Sequence, residues 1–266
     1  MSQPDKYLRR LLKVLPGLMI AALAGMPAAA GDRRDHVDLE LILAVDVSGS
    51  MSRADLLIQR HGYIAALRSA EVGAAIAFRG GIALAYLEWA GPKEQRIVVP
   101  WTVIVDVADA EKFVEMLAAA PIEPGFGSPP QGTGTSISRA LLFAAEMFSS
   151  SFASNTIDIS GNGPNNIGGL LAPVRERLVA SGITINGLPI VKPRAPAFEF
   201  PLAAYYEDCV IGGPGAFAVS VDDPSEMAAA VRRKLVLEIA LVPQLLVPVS
   251  MTTPPPPRVD CAHAGT

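Results

Sequence analysis

Short apolar runs alternate with amphipathic stretches along most of this chain. Leu39 to Val45 is apolar except for Glu40, the length and character of a strand buried on both faces. Ser52 can cap the helix that follows, because Leu56, Leu57, Tyr63, Ile64 and Leu67 recur at helical spacing. Ile82 to Trp89 and Gln95 to Trp101 are two further strand runs. The link Ala90 to Glu94 is too short for a crossover, so these two are expected to form an antiparallel hairpin. Asp109 is expected to cap a helix through Phe113, Val114, Met116 and Leu117 that stops before Pro121. Residues Pro121 to Gly134 are rich in proline and glycine and read as a loop. A third helix is expected from about Ile137 to Phe148, a strand at Thr156 to Ser160, and a helix through Pro173 to Ala180 that ends at Ser181-Gly182. Ile183 to Ile190 is another buried strand. Asp223-Pro224-Ser225-Glu226 reads as a capping box with proline at the first helical position, opening a helix to about Ala240. That use of Asp222 and Asp223 is structural and argues against a catalytic acid pair.

Helix and strand in alternation predict an α/β fold: a Rossmann-like open, mostly parallel sheet with one antiparallel edge strand and helices on both faces. After Ala240 the pattern ends. Pro243, Pro248 and Pro254 to Pro257 favour extended chain over helix. The expected division is therefore a domain over residues 37–241 and a proline-rich C-terminal tail over 242–266.

The first thirty residues carry Lys6, Arg9, Arg10 and Lys13, then an uncharged stretch from Val14 to Ala30 that ends in three alanines. A basic start, an apolar middle and small residues at the exit predict a secretory signal peptide over residues 1–30, and hence a periplasmic or secreted protein. Pro16, Gly17 and Pro27 make the stretch a poor membrane-spanning helix. Arg9-Arg10 leaves twin-arginine export open beside the general route. Without this segment the formal charge moves from −4 to about −7, since four basic side chains leave with one acidic one. No Lys/Arg run remains, which argues against nucleic acid and anionic lipid as partners. Cys209 and Cys261 both lie in the exported part, where one disulfide is favoured over two free thiols.

Candidate chemistry begins where the first strand ends, at Asp46-Val47-Ser48-Gly49-Ser50. One carboxylate and two hydroxyls at the carboxyl edge of a sheet suit a hard divalent ion that keeps some of its waters. Further on, Gly132-Thr133-Gly134-Thr135-Ser136 precedes the third helix, and Ser160-Gly161-Asn162-Gly163-Pro164-Asn165-Asn166 follows the strand around Ile157.

Asp-x-Ser-x-Ser followed by Gly-x-Thr resembles the metal-ion-dependent adhesion site of von Willebrand factor type A domains. The wider string, with Glu88-Trp89, Trp101, Ile185-Asn186-Gly187-Leu188-Pro189-Ile190 and Gly212 to Phe217, resembles an exported bacterial branch of such proteins without an assigned function. The likeness runs from about Asp38 to Ala240. It implies metal ligation by Asp46, Ser48, Ser50 and Thr135, with Mg²⁺ or Mn²⁺ as the ion and an acidic residue of a protein partner completing its shell. The third loop departs from the family. Aligned by the following glycine, its aspartate falls on Asn162, which removes a negative charge. Asp158 lies four residues back, roughly 13 Å along an extended strand, and cannot stand in. As a carboxylate in a buried strand it needs a partner of its own.

Three functional readings follow. The first is an exported module that binds a protein or other ligand through a divalent ion. The second is an interaction domain whose metal site has degenerated, which Asn162 suggests. The third, an enzyme, lacks its parts. Ser48 occupies the position where a phosphate-transferring aspartate would want its second acid. His36, His61 and His263 have no companions at metal-ligand spacing. Ser48 is not in a Gly-x-Ser-x-Gly elbow, and Gly212-Gly213-Pro214-Gly215 opens no helix at dinucleotide-binding spacing.

Overall fold

The structure is a computed structural model that describes residues 37–123, 134–148, 153–191, 200–240 and 258–261. The expected signal peptide, Gly132, Thr133 and most of the expected tail lie outside these residues.

The first strand, β1 (Leu39–Asp46), is followed by helices α1 (Arg53–Leu67) and α2 (Ala70–Arg79), then strands β2 (Ile82–Trp89) and β3 (Gln95–Ile104). Helices α3 (Val107–Ala119) and α4 (Ile137–Met147) precede β4 (Ser154–Gly161), α5 (Leu171–Ala180) and β5 (Thr184–Pro189). The short α6 (Leu202–Tyr205) runs into a π-helical turn, Tyr206–Val210. A 3₁₀ turn, Pro224–Glu226, then leads into α7 (Met227–Ala240). The sheet order is β3-β2-β1-β4-β5. All neighbours are parallel except β2 and β3, the expected hairpin.

Alternation along β1 builds two cores. Leu39, Leu41, Leu43 and Val45 join one apolar cluster with residues of α1, α2, α3 and α7. Ile42 and Ala44 join another with residues of α4, α5 and α6. Helices thus cover both faces, and β1 is buried along its whole length.

Several boundaries depart from the pattern. Asp106, not Asp109, caps α3: its carboxylate accepts the Asp109 backbone N–H at 2.9 Å. Both positions are acidic, and the strand ending at Ile104 leaves Asp106 in the extended backbone that a cap requires. Helix α2 was not expected. Ser69 caps it, and Gly80, at φ 82°, ends it in the left-handed region that favours glycine. Asp223 does cap with proline at the next position, but it opens the 3₁₀ turn rather than α7 itself. Ser52 opens α1 as expected, with the Asp55 carboxylate accepting the Ser52 N–H in return.

Cys209 and Cys261 form a disulfide across 52 positions, with Cα atoms 5.4 Å apart. Beside it, the backbone N–H groups of Arg258 and Val259 donate to Asp208 Oδ2 at 2.6 and 3.0 Å. Val259 is buried in the second core. Among the described residues, no helix is long and apolar enough to cross a membrane.

Candidate metal centre

Strand order decides where a ligand can sit. The chain leaves β1 toward β2 on one side and returns as β4 on the other, so a crevice opens at the carboxyl ends of β1 and β4. Asp46 is the last residue of β1 and fully buried. Its Oδ1 accepts the Ser48 N–H at 2.7 Å, and its Oδ2 receives the Asn162 N–H at 3.4 Å. A carboxylate tied to both loops in this way has little freedom to turn.

The hydroxyls gather beside it. Ser48 Oγ and Ser50 Oγ are 3.1 Å apart, and Ser50 Oγ donates to Asn162 Oδ1 at 2.7 Å. The chain turns between the serines through a Met51 N–H to Ser48 carbonyl bond of 2.9 Å. Gln59 of α1 clamps the end of β1 from below, donating from Nε2 to the Asp46 carbonyl at 3.1 Å and accepting from Ser160 Oγ at 3.3 Å.

Thr135, nearly buried, is positioned by its backbone. Its N–H donates to Asn166 Oδ1 at 2.7 Å and its carbonyl accepts the Asn166 N–H at 2.9 Å. The next residue, Ser136, donates its N–H to the Ala90 carbonyl at the end of β2, also at 2.9 Å. Gly134, at φ 127°, gives the chain the bend it needs before Thr135. Asn165 ties the same loop to α4 and α6: its Oδ1 accepts the Ser138 N–H at 2.9 Å and its N–H donates to the Tyr205 hydroxyl at 3.1 Å.

The donor set fits a hard divalent ion. Oxygens held side by side on a cation at about 2.1 Å stand about 3 Å apart, close to the separation of the two serine hydroxyls. Among the described residues no three His, Cys, Asp or Glu side chains gather to hold a metal. A cation here would depend on hydroxyls and one carboxylate, a donor chemistry that suits hard ions better than ions that prefer thiolate or imidazole.

Asp158 lies outside this cluster. It is buried on β4 and paired with Lys234 Nζ of α7 at 2.8 Å. Lys234 also pairs with Glu238 one turn on, and Asn186 Nδ2 donates to Glu238 Oε1 at 2.9 Å. The partner Asp158 requires is therefore a fully buried lysine.

Sequence reasoning missed Gln59, Asn165, Asn166 and Tyr206 around the crevice. The two asparagines stand in a visible polar string after β4. Gln59 lies within α1 and Tyr206 at the start of the π-helical turn, with nothing in the sequence to mark either. Burial first, and then the Asp46 carboxylate, push the Tyr206 phenol well above its usual range, so it remains a protonated donor at neutral pH.

Solved structures share this architecture. A von Willebrand factor type A protein from Catenulispora acidiphila aligns at TM-score 0.53 with 14% identity, covering 76% of this chain and 43% of that one. Proximal thread matrix protein 1 from the mussel byssus, described with a zinc-occupied MIDAS motif, aligns at 0.53 with 14% identity, over 77% of this chain and 48% of its own. The pilus adhesin SpaC from Lactobacillus rhamnosus GG aligns at 0.55 with 12% identity, over 76% and 30%. The chain thus spans about half or less of the length of these three structures. At such identities the likeness speaks for the fold. No curated protein matches by sequence. The family model described as "Protein of unknown function (DUF1194)" matches residues 36–243, and the chain belongs to that family, built on a von Willebrand factor type A-like fold.

Proposed function

We propose that this protein is an exported binding module that holds Mg²⁺ or Mn²⁺ with Asp46, Ser48, Ser50 and Thr135 and uses it to grip an acidic side chain of a protein partner. The observation that carries this reading is the convergence of Asp46, Ser48, Ser50 and Asn162 at the crevice between β1 and β4, joined by contacts of 2.7 to 3.4 Å. When bound, the cation would supply an electrophilic centre for an incoming carboxylate. Asp46 would hold the ion by charge, and the two serines would hold it through neutral oxygens. Asn162 would orient Ser50 through its amide oxygen. Ligands that are mostly neutral leave much of the positive charge for the partner. The disulfide and the basic-then-apolar start of the sequence support export. The adhesin and byssus proteins that share the fold make a binding role reasonable, and the missing catalytic parts favour binding over turnover.

A second reading draws on one contact. Asn162 stands where the resemblance implies an aspartate, and its neutral amide oxygen accepts the Ser50 hydroxyl at 2.7 Å, an arrangement that suits an interaction domain whose metal site has degenerated.

Thermal unfolding separates the two. A ligand that binds only the folded state raises stability with the logarithm of its concentration over Kd. Millimolar Mg²⁺ is expected to raise the Tm of the wild type and not of Asp46→Ala, with chelator reversing the rise. An equal response of both proteins, or none in the wild type, removes the metal reading.

A further inference from the structure

A buried hydroxyl stands behind the carboxylate. Gly161 closes β4, and a Cβ built on it would lie 2.8 Å from the Tyr206 hydroxyl and 3.0 Å from Asp46 Oδ2. The phenol and the carboxylate therefore face the same small space, which is open only because residue 161 has no side chain. Tyr206 is fully buried, and its hydroxyl has no hydrogen-bond partner among the described residues. A buried donor with nothing to donate to is unfavourable, and its persistence calls for a use.

The segment that carries it is held firmly. Tyr206 begins the π-helical turn Tyr206–Val210, a rare conformation frequent at functional sites. Cys209 of the same turn is disulfide-bonded to Cys261, and Asp208 accepts the backbone N–H groups of Arg258 and Val259. Gly187 on β5 makes room for the ring: a Cβ there would meet Tyr206 Cδ1 at 2.7 Å. Two glycines on adjacent strands and a cross-linked turn thus keep one phenol pointed at the back of Asp46.

We propose that Tyr206 is a positioning residue for Asp46, donating from its hydroxyl to Oδ2 across the space at Gly161 when the carboxylate engages a divalent cation. The inference rests on the metal reading above and adds to it a residue of the second core. Asp46 Oδ1 accepts the Ser48 N–H at 2.7 Å, and Oδ2 accepts the Asn162 N–H at 3.4 Å. Oδ2 is the carboxylate oxygen that faces the space at Gly161, and the phenol is the neutral donor across it. A metal-ligating carboxylate that loses its outer hydrogen bond binds its ion about 10- to 100-fold more weakly.

Calorimetric titration with MnCl₂ and with MgCl₂, together with melting in chelator, tests this on the exported, disulfide-bonded protein. Tyr206→Phe removes only the hydroxyl and keeps the ring packing. It is expected to weaken metal binding about tenfold or more, with its Tm in chelator equal to or above that of the wild type. Tyr86→Phe, a buried phenol in the opposite core, is expected to bind as the wild type does. Equal Kd values for Tyr206→Phe and wild type overturn the proposal while leaving the metal reading intact. A matching loss in Tyr86→Phe overturns it as well, since the effect would then be general. A wild type that binds neither ion removes the metal reading and this proposal with it.

Discussion

Ser50 Oγ donates to Asn162 Oδ1 at 2.7 Å, so the loops after β1 and β4 meet through a neutral contact at the position where the resemblance implies a carboxylate. The amide reproduces the hydrogen bond of an aspartate and omits its charge. Asp46 is then the one carboxylate in the cluster of Asp46, Ser48, Ser50 and Asn162. Charge count largely sets the affinity of an oxygen-rich site for a divalent ion.

Asn162→Asp is therefore expected to tighten Mg²⁺ binding by roughly tenfold or more, since a charge near the ion is worth about 1–3 kcal/mol after screening. The same change sets a second carboxylate close to Asp46, so the variant should melt below the wild type in chelator and recover on adding Mg²⁺. Calorimetry and melting curves in one buffer read both effects. Equal affinity in the two proteins would separate Asn162 from the ion.

Much of this was legible beforehand, for physical reasons. The buried runs of β1, β2 and β5 and the short hairpin link fix the sheet, because burial on both faces leaves a continuous apolar signal. Glycine, serine and threonine at strand ends are ordinary turn and cap residues, so the site loops stood out only through the resemblance of Asp-x-Ser-x-Ser and Gly-x-Thr, and the fold adds that Ser50 meets Asn162. Lys234 was not. In an amphipathic helix a lysine reads as solvent-facing, and only the fold brings Asp158 from β4 against it. Tyr206 was hidden for a similar reason: a tyrosine in an apolar stretch looks like core, and its nearness to Asp46 depends on two glycines far apart in sequence. The second helix, α2, was missed because Arg68 and Ser69 blur the boundary between two adjoining helices of one amphipathic stretch.

The disulfide closes a long stretch of chain. Cys209 and Cys261 are separated by 52 positions, for which chain-entropy arguments give about 4 kcal/mol of stabilisation. The paired change Cys209→Ser with Cys261→Ser is expected to lower unfolding free energy by about 2–4 kcal/mol, below the theoretical value to the extent that the uncross-linked unfolded chain keeps residual structure. Denaturant unfolding of both proteins measures it. Unchanged stability, or two alkylatable thiols in the native protein, would show that the bond does not hold residues 258–261 in place.

The ion cluster in the first core makes stability depend on pH in a defined direction. Glu238 is raised from its ordinary 4.5 to about 7, first by burial and then by the nearby Asp158, while Lys234 and Asn186 pull it back down. Asp158 is raised as well, again mainly by burial, with Lys234 opposing. Tyr63 of α1 also faces the cluster, and burial and Asp158 push its phenol well up, which keeps it neutral. Two carboxyls thus share one lysine, and the folded protein holds a proton that the unfolded chain releases at lower pH. An acid that binds its proton more tightly when folded contributes stability that is fully present below the unfolded pKa and lost as pH rises through the folded one. Unfolding free energy is therefore expected to fall by about 1–3 kcal/mol between pH 4.5 and 7 and then to level off. Glu238→Gln leaves Lys234 paired with Asp158 alone and removes the shared proton, so its stability should be nearly flat over the same window. Urea unfolding at closely spaced pH values, in chelator so that metal binding does not contribute, compares the two slopes. A wild type as flat as Glu238→Gln would show that the folded cluster carries no extra proton.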